Sequence, residues 1–425
     1  MTAYPGARTL AVGALLGGLV LCLGVPARGQ EDFLDRADQA LAFGLAGDQV
    51  RAHLSGTLDL EGYSVSEPMP ALVFKEGDSF LVPRLSLFLD VQAGAYVYAF
   101  VQARADDGFD PGDDGRHVRP DEYVVRLTPW ADGRLNLQAG KFATVVGNWT
   151  PRHGSWENPF ITAPLPYENE TGIWGNVAAR SAGQLLFWAG LAPGPSRGGQ
   201  FPDKYNNVPV IWGPSYASGA SAFGDVGKLL YAVEVKNAAL ASQPEAWTPG
   251  GSGWRNPAYS GRVALVPNEM WTVGLSASSG TYLQPEAAAS LPPGRSLGRY
   301  TEGLVGQDVS FAWHHFQAWA EAFEARFAIP GVGNANTQAY YIEGKYKFTP
   351  QLFGSLRWNQ QAFSGIALPS GGSARWGRNV WRIDAAPAYR VTPHLQLKLQ
   401  YSLEHQDADA GAYSRLLAVQ VTSRF

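Results

Sequence analysis

The chain is short of three things: thiols, long apolar runs and a surplus of positive charge. Its one cysteine, Cys22, excludes intramolecular disulfides as a source of stability. Beyond the first 25 residues no apolar stretch approaches 18 residues, so transmembrane helices are excluded. With 33 basic against 37 acidic residues the chain lacks the basic excess of a nucleic-acid binder. Glycine and aromatic rings are plentiful instead, with 49 Gly, 14 Trp and 18 Tyr, a composition suited to strands joined by turns.

Residues 1–29 read as a secretory signal. Arg8 is the lone charge of the n-region, Leu10 to Val25 form the apolar run, and Ala27-Arg28-Gly29 offers small residues for cleavage. Cleavage there would remove Cys22, Arg8 and Arg28, leaving 31 basic against 37 acidic residues, a net charge of about −6. Leu21 stands where a lipoprotein signal needs a small residue, which argues against a lipid anchor. Residues 30–48 follow as an amphipathic helix, with Phe33, Ala37, Leu41 and Leu45 on one side. It serves as a lead-in or periplasmic cap to the remaining unit, 49–425.

From there the pattern has period two. Tyr413, Arg415, Leu417, Val419, Val421, Ser423 and Phe425 share one face of the last segment, against Ser414, Leu416, Ala418, Gln420, Thr422 and Arg424. Leu395, Leu397, Leu399, Tyr401 and Leu403 likewise oppose Gln396, Lys398, Gln400, Ser402 and Glu404. Proline marks the turns between such runs at Pro129, Pro350 and Pro393, each after a Thr, and more loosely at Pro267. Longer Gly-, Pro-, Ser- and Asp-rich stretches alternate with them at 106–120, 143–170, 192–213, 238–256, 282–303 and 363–378. Upward strands are expected to start near 50, 94, 134, 183, 228, 270, 316, 351 and 394, and downward ones near 80, 121, 171, 214, 257, 306, 338, 379 and 412. The expected fold is all-β, a transmembrane antiparallel up-and-down barrel of about 16–18 strands with a short N-terminal helix. In Val309 to Phe327 the face is undecided, because Trp319, Phe323 and Phe327 share parity with Glu321.

At that strand number side chains alone do not fill the interior, so charge on the minor face is expected to line water. Glu343, Lys345, Lys347, Arg382, Asp384, Arg390, Lys398 and Glu404 are the candidates, either touching solutes or pairing across neighbouring strands. Gly147 to Gly175 is the most distinctive loop. Its Trp149, Trp156, Tyr167, Arg152, His153, Glu157 and Glu168 suit an inward-folded constriction, or an aromatic cluster packed on the wall. No cofactor is expected, although Asp106, Asp110, Asp113 and Asp114 stand close enough for weak Ca²⁺ binding at an acidic tip.

Catalysis has little to stand on. None of the seven histidines lies in a recognisable motif, and Ser221 lacks flanking glycines. Gly224-Asp225-Val226-Gly227-Lys228 has Leu229 where a phosphate loop needs Ser or Thr. A barrel lipase or protease and a secreted β-sandwich carbohydrate binder are the competing readings.

The terminal Phe425 resembles the closing residue of bacterial outer-membrane barrels, which their assembly machinery reads. Phe80-Leu81-Val82-Pro83-Arg84-Leu85 and Leu137-Gln138-Ala139-Gly140-Lys141-Phe142, with the Thr-Pro turns, resemble bacterial porins, most nearly the superfamily that includes the phosphate-selective porins. Phosphate selectivity itself is not implied by this mixed charge, and the aromatic loop is also similar to sugar-selective porins. The resemblance implies a passive outer-membrane channel for small hydrophilic solutes, exported through the periplasm and often trimeric, in contact with outer-membrane lipids and lipopolysaccharide.

Overall fold

The computed structural model describes residues 28–45, 49–66, 78–106, 117–191, 207–244, 251–407 and 413–425. The expected export signal, apart from its last two residues, lies outside them. Sixteen long antiparallel strands follow in chain order: β1 (Val50–Val65), β2 (Ser79–Ala93), β3 (Val97–Asp106), β4 (His117–Leu127), β5 (Asn136–Phe142), β6 (Ala217–Val226), β7 (Leu229–Lys236) and β8 (Ala258–Asn268). The second half is β9 (Trp271–Thr281), β10 (Thr301–Trp313), β11 (Phe316–Ile329), β12 (Gly333–Lys347), β13 (Leu352–Phe363), β14 (Val380–Thr392), β15 (Leu395–Gln406) and β16 (Tyr413–Arg424). Each pairs with the strands on either side of it, and β16 returns to β1. One closed sheet rules out a sandwich.

Of the eighteen strand positions expected from alternation, sixteen are barrel strands. Those near 171 and 183 are not, because all of 143–216 is one connection between β5 and β6. Glu170–Trp174 is a strand, but it pairs with Asn207–Pro209 inside that connection. Ala182–Trp188 is a helix, capped by Ser181, whose side chain accepts from the Gln184 N–H. Its buried Ala182, Leu185 and Trp188 fall at helical spacing.

The two faces meet different surroundings. Leu58, Leu60, Leu85, Val101, Val125, Val233, Val263, Leu275, Val305, Ile342 and Leu356 are exposed on the outer wall. Tyr96, Trp130, Trp271, Trp313, Phe316, Tyr346 and Phe348 ring the short-turn end as a girdle, and Tyr259 and Tyr413 stand exposed at the other end. All four proline-marked turns lie at the short-turn end. On β11, Trp319, Glu321, Phe323 and Phe327 all face inward, while Ala318, Ala320 and Ala322 face outward.

The N-terminal helix α1 (Arg28–Ala40) is shorter than expected. Leu45 does not share its apolar side, because Ala42–Leu45 leaves the helix and pairs with Val50–His53. Those β1 residues extend beyond the end of β16, so the segment covers an edge that would otherwise be open. Asp38 bonds His53 at 2.9 Å and Asp35 bonds His394 at 2.8 Å, which docks α1 on the short-turn rim across the closing seam.

Between these contacts sits Phe425. It exchanges backbone hydrogen bonds of 3.0 Å with Gly56 in both directions, and its ring covers the glycine. A Cβ on Gly56 would stand 2.5 Å from the ring's Cζ. Gly56→Val is therefore expected to destabilise the folded barrel by ~1–3 kcal/mol, read as a lower urea midpoint in lipid vesicles. An unchanged midpoint would show that the ring swings away at no cost.

Candidate functional site

The 143–216 connection turns inward because its backbone finds hydrogen-bond partners on the barrel's inner wall. Most of its polar anchors fall on β7 and β9–β15. Glu234 of β7 accepts from the Thr144 hydroxyl at 2.7 Å and the Val145 N–H at 3.3 Å. Ser276 of β9 accepts from Gly147 N–H, and Asp308 of β10 from the Asn148 amide. Glu321 of β11 accepts from the N–H groups of Asn148 and Trp149 and from the Tyr167 hydroxyl at 2.7 Å. Gln400 of β15 takes the N–H groups of Ile161 and Thr162, and Asn359 of β13 takes that of Leu165. Buried amides left without such partners would each cost about 1–3 kcal/mol.

Above these anchors the lumen holds a hydrophobic core. Leu304, Phe323, Ala325, Phe327, Ile329, Ala335 and Phe363 of the wall meet Val146, Trp149, Ile173, Leu185, Val210 and Ile211 of the connection, all buried. Trp149 packs on Tyr167 at 4.5 Å between ring centres, and Tyr167 meets Phe323 edge-on. Trp174 and Trp188 stack in parallel at 4.4 Å.

The wall charges expected on the minor face do point inward, where most are buried. Arg357 of β13 donates to Asp384 at 2.8 Å and lies 3.6 Å from Glu343. Arg382 bonds Asp384 and Glu168, and Arg152 bonds Glu343 and, at 2.8 Å, the Tyr341 hydroxyl. Glu404 is buried beside Arg382. These groups also hold the loop: Arg357 donates to the carbonyls of Thr162 and Ala163, and Arg382 to that of Ala163. Nearer the short-turn rim, Lys398 bonds the carbonyls of Ser155, Asn158 and Phe160. Lys345 and Arg390 stand at the same depth, and Lys347 is exposed at the rim.

The loop residues divide. Trp149, Trp156, Tyr167 and Glu168 are buried; Arg152 and His153 are partly so; Glu157 is exposed. Tyr216 bonds the His153 imidazole at 2.9 Å, and burial holds this loop histidine down, to about 4. Asp106 is no loop tip. It ends β3 facing inward, 2.8 Å from Arg119 and 3.3 Å from Arg104. Asp110, Asp113 and Asp114 lie outside the described residues. Ser221 faces Glu234 across the β6–β7 pair, and Gly227 of the phosphate-loop-like segment has φ +63° in the turn joining those strands.

Alternation could have supplied more of the site. Arg357 opposes Leu356 and Trp358 on β13, and Asp59 and Glu61 oppose Leu58 and Leu60 on β1. Arg84, Arg104 and Arg119 meet Glu61, Asp106 and Asp121 across β1–β4, with Arg104 2.7 Å from Asp121. Their pairing depends on strand register, which period alone leaves open.

Removing one partner of a buried charge network strands the others. Arg357→Met is expected to destabilise the barrel by roughly 3–5 kcal/mol, measured by urea unfolding in vesicles. Arg134→Met, which breaks an exposed pair with Asp132, is expected to cost no more than ~1 kcal/mol. Equal losses would contradict the burial argument.

No protein-family model matches the chain, and no curated protein matches it in sequence. Solved structures match it in fold. OmpF of Salmonella typhi, in complex with daunomycin, aligns at TM-score 0.56 and 12% identity, over 90% of this chain and 100% of that one. The anion-selective porin from Comamonas acidovorans aligns at 0.54 and 12%, over 88% and 100% respectively. The outer membrane channel DcaP of Acinetobacter baumannii aligns at 0.54 and 11%, over 90% and 99%. The chain therefore has the fold of an outer-membrane porin, a closed sixteen-strand barrel.

Proposed function

We propose that this protein is an outer-membrane porin, a channel for passive diffusion of small hydrophilic solutes, with the 143–216 connection narrowing its lumen. The carrying observation is the opposition of the two faces: apolar and girdled outside, charged and hydrogen-bonded inside. A sheet can cross hydrocarbon only if it is closed, and one of about sixteen strands encloses more volume than its own side chains fill. The short turns and α1 face the periplasm, and the long connections face outward.

The side proposed for passage is the one toward β1–β4, where the polar anchors are sparse and Ile161 packs against Tyr63, Val65 and Val82. Toward β3 and β4 the Tyr216 oxygen accepts from the Gln102 amide and the Ala143 N–H donates to Glu122, both near the ends of the connection. The path then follows the β1–β4 wall past Arg84 and Arg119, whose side chains are 20% and 15% exposed. The narrower likeness to the phosphate-selective porins rests on Gly140-Lys141-Phe142, which ends β5 where the connection begins.

Deleting 150–168 is expected to raise single-channel conductance in a planar bilayer. A deletion variant that keeps its β circular dichroism and its conductance would sink the narrowing role. Absence of conductance steps from folded wild-type barrel would sink the channel itself.

A further inference from the structure

The charges in the lumen are not all alike. Arg84, Arg104, Arg119, Arg152, Arg262, Arg357 and Arg382 each lie within ion-pair distance of a carboxylate. At the short-turn end, inward cations with none among the described residues include Lys345 and Lys347 of β12, Arg390 of β14, Arg424 of β16 and Lys398 of β15, the last engaged by the carbonyls of Ser155, Asn158 and Phe160. Lys345, Arg390 and Arg424 rest on rings instead. The Lys345 ammonium lies 4.1 Å from the centre of Phe353, and the Arg390 guanidinium 5.9 Å from it. Trp156, brought down by the connection, lies 5.3 Å from Arg390 and 4.1 Å from Arg424.

A ring face holds a cation without cancelling its charge. Among the described residues Arg390 uses only Nε, bonded to Gln396 at 3.0 Å, and Arg424 only Nε, bonded to the Pro393 carbonyl at 2.9 Å. The Nη groups of both stay available as paired donors, the geometry that takes two oxygens of one anion. Arg390 and Lys347 are each close enough to repel Lys345, and Arg390 is close enough to repel Arg424. Arg152 adds to the positive charge felt by Lys345; Glu157 and Asp38 are the carboxylates that act on the cluster from further away. Such an assembly is a local sink for negative charge inside a chain whose net charge is negative.

We propose that Lys345, Arg390 and Arg424, set on Trp156 and Phe353, form with Lys347 at the rim a binding subsite for small oxyanions bearing phosphate or carboxylate groups. The subsite lies at the short-turn end of the lumen. This inference rests on the channel reading and adds the class of solute to it.

The test compares wild type with Lys345→Gln/Lys347→Gln, which leaves the Trp156 contacts in place, and with Arg390→Gln/Arg424→Gln. Reversal potentials across a KCl gradient are expected to show anion preference in wild type, falling by roughly twofold or more in each variant. Inorganic phosphate and succinate, added in turn, are expected to reduce the chloride current of wild type and to spare that of the variants. Stepwise conductance with no anion preference, or variants that behave as wild type, would overturn the subsite and leave the channel standing. So would chloride preference without reduction by either oxyanion. Should folded barrel conduct nothing, the channel reading fails, and calorimetric titration of phosphate into detergent-solubilised barrel decides the subsite alone: heat lost in both variants supports it, and no heat in wild type overturns it.

Discussion

Hydrocarbon offers no hydrogen bonds, so a strand at its edge with an unpaired backbone is untenable, and the whole architecture answers to that constraint. The answer is closure of β16 onto β1, with nine registered pairs from Thr57 with Arg424 to Val65 with Leu416. Where β1 outruns β16, Phe425 and Ala42–Leu45 take over its remaining edge. The helix α1 and the His394 turn brace the same seam through Asp35 and Asp38. Residues 35–45 and the C-terminal Phe425 thus serve the place where a sheet of this kind would first open.

Closure creates a second requirement. A sixteen-strand ring encloses space, and the described residues of the connection between β5 and β6 enter it, held by apolar packing and by charge. The apolar part resembles the interior of a soluble domain, with Phe327, Trp376 and Phe363 meeting edge-on under the long connections. The charged part carries Arg357, Arg382, Asp384 and Glu343 below it, in the middle of the β12–β14 wall. Buried ions of this sort contribute little net stability against an apolar substitute, but they fix one arrangement because any other leaves a charge unmatched. Lys345, Arg390 and Arg424 at the short-turn end escape that rule: the rings of Trp156 and Phe353 hold them in place without neutralising them.

Much of the barrel was legible because period two reports a strand's faces directly. Gln396, Lys398, Gln400, Ser402 and Glu404 read as one face of β15 and occupy it. Residues 170–188 misled for a physical reason. Glu170–Trp174 does prefer the extended state, but sequence period does not say which partner a strand finds, and its partner lies within the same loop. The helix was readable at Ser181 and Gln184, whose spacing caps a helix N-terminus. On β11 the aromatic residues obscured the faces, since a lumen filled by Tyr167 and Trp149 favours rings inside as strongly as lipid favours them outside.

Sixteen strand positions, the proline-marked turns and the inner face of strands such as β15 follow from the sequence alone, because alternation and proline act within a few residues of chain. The pairing of Arg152 with Glu343 across 191 residues, the burial of Trp149 and Tyr167, and the meeting of Arg390, Arg424 and Trp156 were decided only by tertiary structure. They depend on register around a closed ring and on the path of one long connection through it. Local chain preference carries no information about either.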